Sequence, residues 1–146
     1  MREHYSEIVI NGTPEQVWGV LTNFSGYPNW NPFVRRASGT VKPGERIEVY
    51  LQPPDGPGMT IKPTLTEVVP NRELRWLGHT VIPGLFDGEH IFTIEPLEAD
   101  GVRFIQREVF GGILASPVLR LIGENTLRGF ETMNKALKAE AEKSIS

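Results

Sequence analysis

From His4 to Ile10 the chain is short and β-rich, which predicts a first strand. Thr13-Pro14-Glu15-Gln16 follows; Thr13 suits an N-cap, Pro14 the first helical position, and Gln16 completes a capping box. Val17, Leu21 and Phe24 then recur at helical spacing, so a short amphipathic helix should end near Asn23. Pro28 and Pro32 interrupt the next stretch and predict a compact loop or single turn presenting Tyr27, Trp30 and Phe33. From Glu45 the period becomes two. Ile47, Val49 and Leu51 share one face, while Glu48, Tyr50 and Gln52 share the other.

Pro53–Gly58 reads as a turn. Met59–Val69 reads as another strand, with Met59, Ile61, Pro63 and Leu65 on one face and Pro63 marking a bulge or an edge. Leu74, Trp76 and Gly78 alternate in the next strand, and Ile82-Pro83-Gly84 breaks the chain. Phe86–Glu95 and Val102–Phe110 are the last two strands, joined around Glu98–Gly101. After Gly111-Gly112, Ser116 can cap and Pro117 can start a final helix running to about Lys143. Its apolar stripe is Val118, Ile122, Phe130, Met133, Leu137 and Ala141; Glu124/Arg128 and Glu131/Lys135 should pair on its wet face. No strand alternates with a crossover helix, so a parallel sheet is disfavoured. The expected class is α+β: an antiparallel sheet covered by one long C-terminal helix, in a single domain over residues 1–146.

Composition narrows the function. The chain is 39% hydrophobic and 23% charged with net charge −3, as expected of a globular protein. It lacks a basic stripe, so nucleic acid is not an expected partner. No run approaches the ~20 apolar residues of a membrane helix, so membrane insertion is not expected either. The charged start, Met1 to Glu7, does not resemble a secretory signal, and the cytoplasm is the expected compartment. With no cysteine there is no disulfide or thiolate nucleophile. The three histidines lie on different segments, and HExxH, Walker, GxSxG and GxGxxG patterns are missing, so no metal or cofactor is expected. Oligomeric state is open between monomer and homodimer.

Parity locates candidate chemistry. On the last two strands one face carries His90 and Phe92, then Phe104, Gln106, Glu108 and Phe110. A hairpin centred near Ala99 sets His90 opposite Glu108 and Phe92 opposite Gln106, with β-carbons about 5 Å apart. A carboxylate on such a face needs a partner, and His90 supplies one. The pair reads either as a general acid/base pair in an apolar cavity or as a hydrogen-bonded structural pair. Glu89 and Arg107 have the opposite parity and should point outward, where an ion pair is worth little.

The chain resembles the START-like (SRPBCC, helix-grip) superfamily, within it the bacterial polyketide cyclase/dehydrase-like proteins, over nearly its whole length. Its anchors are Tyr27-Pro28 with Trp30-Asn31-Pro32-Phe33, then Glu73-Leu74-Arg75-Trp76-Leu77-Gly78. Further on come Pro83-Gly84-Leu85-Phe86-Asp87-Gly88-Glu89-His90, Arg107-Glu108 before Phe110-Gly111-Gly112, and Gly129-Phe130-Glu131 with Met133-Asn134. The resemblance implies about seven strands curved around the C-terminal helix, with a cavity between. It leaves three functions open. The first is binding of a small hydrophobic molecule such as a lipid, polyketide or aromatic metabolite. The second is a cyclase/dehydratase-type enzyme using His90 and Glu108. The third is a co-chaperone-like interaction protein. For a cavity role, Trp30 and Phe33 would gate the mouth, while Met59, Trp76, Phe92 and Phe110 would line it from the sheet. Ile122, Phe130 and Met133 would line it from the helix, and Gln106 would add a polar contact. Each of these apolar residues also fits ordinary core.

Overall fold

A computed structural model describes residues 2–79, 83–98 and 101–143. The chain opens with β1 (Arg2–Ile10), α1 (Pro14–Thr22), a single 3-10 turn (Phe24–Gly26) and the one-turn helix α2 (Tyr27–Trp30). Strands β2 (Val34–Ser38), β3 (Glu48–Leu51), β4 (Met59–Ile61), β5 (Thr64–Val69) and β6 (Glu73–His79) follow. The chain then forms β7 (Asp87–Pro96), β8 (Val102–Gly111) and the long helix α3 (Ala115–Lys143). This is an α+β helix-grip fold. Eight strands are present among the described residues, against about seven expected.

The elements follow from local chemistry. Thr13 accepts a hydrogen bond from the Gln16 backbone while the Gln16 side chain accepts one from Thr13, so the capping box closes as predicted. Val17 and Leu21 are the buried face of α1. The proline-rich stretch makes the expected single turn, with Pro28 tolerated in the first turn of α2, where its missing N–H is not needed. Tyr27 is fully buried, and its hydroxyl donates to the Leu21 carbonyl.

All strand pairs are antiparallel, in the orders β1-β8-β7-β6-β5 and β2-β3-β4. The two sets join where the segment before β3 bonds to the edge at β5, through Ile47 N–H to Pro63 O and Leu65 N–H to Glu45 O, 2.9 and 2.8 Å. The predicted strand Met59–Val69 is therefore two strands. Pro63 lacks an N–H for the ladder, and its carbonyl serves the neighbouring sheet instead. Strand β2 was not predicted; its two outward arginines and the register shift between Val34 and Arg36 hide the alternation. The joint predicted around Glu98–Gly101 and the break at Ile82 fall partly outside the described residues.

Helix α3 starts at Ala115, one residue before the predicted cap Ser116. Gly112 forces the entry: its φ is +101°, and a β-carbon there would meet the Leu85 carbonyl at 2.5 Å. The predicted pair Glu124/Arg128 does not form. Arg128 instead reaches Asp55 at 2.8 Å across the β3–β4 turn. Glu131 and Lys135 make no bridge either; the helix instead carries the pairs Lys138–Glu142 and Lys143–Glu140. Glu89 and Arg107 do face outward in ion pairs, Glu89 to Arg75 and Arg107 to Glu3.

The core lies between α3 and the sheet. Phe104, Phe130, Met133, Leu137 and Ile94 are at most 1% exposed. Burying each large apolar side chain contributes about 1.5–3 kcal/mol.

Candidate functional site

Three side-chain rows cross the concave face of the sheet. In the middle row His4 of β1, Glu108 of β8, His90 of β7 and Trp76 of β6 stand side by side. The row below runs Ser6, Gln106, Phe92, Leu74. The row above runs Arg2, Phe110, Gly88, Gly78. The hairpin register predicted from sequence, His90 opposite Glu108 and Phe92 opposite Gln106, is the one formed.

Two adjacent glycines in the upper row leave an unfilled space over the sheet. The Glu108 carboxylate leans into it: a β-carbon on Gly88 would come within 2.3 Å of Glu108 Oε2. Above this space the N-terminal half of α3 is poorly covered, with Leu121 86% and Ile122 44% exposed, whereas Phe130, Met133 and Leu137 further on are fully buried. The helix therefore grips the sheet with its second half and bridges a gap with its first. The gap is a cavity of about 360 Å³. Trp76, Phe33, Phe86, Phe110, Leu119 and Ile122 supply much of its wall, and Glu108 is the carboxylate on it. The β3–β4 turn closes one side. Its Asp55 N–H donates to Asn125 Oδ1 at 3.1 Å, beside the Asp55–Arg128 bridge.

The polar groups under this wall are connected. His90 is 3% exposed, with Nδ1 at 3.6 Å from Glu108 Oε1 and Nε2 at 2.8 Å from Gln106 Oε1. The imidazole is sandwiched among Phe92, Phe130 and Trp76, ring centroids 4.4, 4.8 and 5.3 Å away. On the other side of Glu108, burial pushes the His4 imidazole pKa down, opposed by the Glu108 charge and by the nearby Gly123 backbone. His4 Nε2 has no hydrogen-bond partner. At the β6–β7 corner His79 Nδ1 lies 2.7 Å from Asp87, and that hydrogen bond holds the Asp87 carboxyl low.

The predicted site residues divide. Phe33, Met59, Trp76, Glu108, Phe110 and Ile122 line the cavity. His90, Phe92, Gln106, Phe130 and Met133 lie in the packed layer beneath it and do not reach it. Trp30 does not gate the mouth; α2 turns its ring back onto Tyr27, centroids 5.2 Å apart. Sequence reasoning missed Gly78 and Gly88 as the source of the space, the turn Pro53–Gly58 as a wall, and His4 as a neighbour of Glu108. The neighbouring glycines of β6 and β7 were readable from register. His4 was not, because β1 pairs with a strand about a hundred residues away and no turn sets that register.

The described residues thus form a helix-grip sheet with an apolar cavity under its helix. By sequence, residues 1–142 match the family described as polyketide cyclase / dehydrase and lipid transport, and the chain belongs to that family. No curated protein matches it in sequence. Among solved structures it is similar to the Zhui aromatase/cyclase from a Streptomyces species, with TM-score 0.80 and 14% identity over 99% of this chain and 96% of that one. A protein from Thermus thermophilus superposes with TM-score 0.76 and 17% identity, covering 99% and 100%. A START superfamily protein from Mycobacterium smegmatis does so with TM-score 0.71 and 15% identity, covering 97% of each chain. These likenesses carry the fold. Among the described residues no helix is long and apolar enough to cross a membrane.

Proposed function

We propose that the chain binds a small, mostly apolar molecule, such as a lipid, polyketide or aromatic metabolite, in the cavity between α3 and the sheet. The observation that carries this reading is the about 360 Å³ cavity walled by aromatic and aliphatic side chains with one carboxylate, Glu108, leaning into it. Ligand sites are typically of roughly 300–1,000 Å³ with few, placed polar groups. The family description and the cyclase and START-like neighbours support the same reading. Titration with 2-naphthol, followed by the fluorescence of Trp76 on the cavity wall, tests it. Saturable quenching that is lost in Gly78→Leu is expected. That variant fills the cavity, and a β-carbon at Gly78 meets only Pro63, at an ordinary 3.8 Å. Quenching unchanged in Gly78→Leu would sink the reading.

A second reading, an enzyme of cyclase or dehydratase type, is favoured by the Glu108–His90 pair at 3.6 Å, with Glu108 on the wall and His90 behind it. Here Glu108→Gln and His90→Ala abolish turnover of a candidate substrate in folded protein; loss of stability alone with turnover intact would remove it.

A further inference from the structure

Gln106 is fully buried and does not reach the cavity. Its side-chain nitrogen points at α3, 2.8 Å from Asn134 Oδ1 and 3.4 Å from the Phe130 carbonyl oxygen. Asn134 is braced in turn, donating to Ser6 Oγ of β1 at 2.9 Å. A backbone carbonyl only accepts hydrogen bonds, so the group facing Phe130 must be the amide NH2. The amide oxygen of Gln106 therefore faces β7, where it lies 2.8 Å from His90 Nε2. An amide oxygen also only accepts, so Nε2 must carry a hydrogen. In a neutral imidazole the other nitrogen, Nδ1, is then the basic one. Nδ1 faces Glu108 Oε1 at 3.6 Å, ion-pair distance.

We propose that Gln106 is a positioning residue: braced by α3, it holds His90 as the Nε2–H tautomer and turns the basic nitrogen Nδ1 toward Glu108, the carboxylate of the cavity wall. The inference rests on the cavity being the ligand site and deepens it, because it assigns the wall an oriented acid–base pair. A proton gained at Nδ1 gives an imidazolium whose Nε2–H stays on Gln106 and whose charge faces Glu108; its loss restores the lone pair. The titratable group facing His90 is Glu108 of β8, and on its far side stands His4 of β1. From β6 comes Trp76, and α3 brings Phe130 and Asn134. The polarity of the wall is thus set from the helix side, by contacts that depend on α3 being seated.

Long-range proton–nitrogen correlation spectra of the ligand-free, nitrogen-15-labelled protein test this directly, with His90 assigned by its disappearance in His90→Phe. Where the imidazole is neutral, the expected pattern is a pyrrole-type Nε2 and a pyridine-type Nδ1 without averaging. Gln106→Met, which removes the acceptor at similar volume, should average or reverse the pattern and shift the pH profile of 2-naphthol binding. An Nδ1–H tautomer or a freely averaging ring in the wild-type protein would overturn the proposal even if Gln106→Met does not fold. Because no ligand is present, that result leaves 2-naphthol binding standing, whereas failure of 2-naphthol binding would leave the tautomer result intact.

Discussion

Gly123 and Gly129 sit on one helix and respond oppositely to a methyl group. A β-carbon at Gly129 would lie 2.5 Å from the Phe33 ring, inside the core. Gly129→Ala should therefore destabilise by about 1–3 kcal/mol through overpacking, against the usual helix gain. At Gly123 the nearest atoms are the His4 ring at 3.4 Å, an ordinary contact, so Gly123→Ala should be stabilising by up to about 1 kcal/mol. Urea denaturation of both variants checks the pair of signs. His4 itself ties stability to pH. Burial lowers its pKa from the ordinary 6.5, so the unfolded chain takes the proton first as pH falls. This contribution is complete above about pH 6.5 and is lost as pH drops from there toward the folded value. Asp87 and Glu142, held low by His79 and Lys138, act only in the more acidic carboxylate range. His4→Phe should flatten the decline in denaturation midpoint between pH 7 and the mildly acidic range; an unchanged slope would contradict the assignment to His4.

At the scale of elements, α3 does two jobs along one axis. Its second half seals the core with Phe130, Met133 and Leu137, and its first half roofs the cavity. The turn Pro53–Gly58 is tied to that roof by Asp55, Asn125 and Arg128. Both charged partners are at least half exposed, so Arg128→Ala should change stability by less than about 0.5 kcal/mol. It should nonetheless speed 2-naphthol release several-fold in stopped-flow fluorescence, because the turn is then free to swing off the cavity. What the sequence showed of these elements follows their range of action. The capping box, the helix stripe and the β7–β8 register are set by neighbours in the chain and were readable. The split at Pro63, strand β2 and the Arg128–Asp55 tie depend on segments that meet only in the fold. The i,i+4 rule pointed Arg128 to Glu124, yet the turn supplied a carboxylate at 2.8 Å.

Across the whole molecule, the sheet can close on the helix with a space left inside because the row His4, Glu108, His90, Trp76 lies beside a row carrying Gly88 and Gly78. The polar trio His90, Gln106 and Glu108 was visible from alternation alone. That Glu108 reaches the space while His90 and Gln106 lie behind it was not, since it depends on missing side chains in the neighbouring row. Phe92 and Met133 looked equivalent to Trp76 in the sequence; their depth below the cavity is a property of the closed fold. The most direct test is native mass spectrometry of the protein taken from its own cells, compared with Gly78→Leu prepared alike. The expected result is a non-covalent small-molecule adduct on the wild type that is missing from Gly78→Leu. A wild-type protein that is bare from its own host and also fails to take up 2-naphthol, or an adduct equally abundant on Gly78→Leu, would contradict a ligand site under the helix.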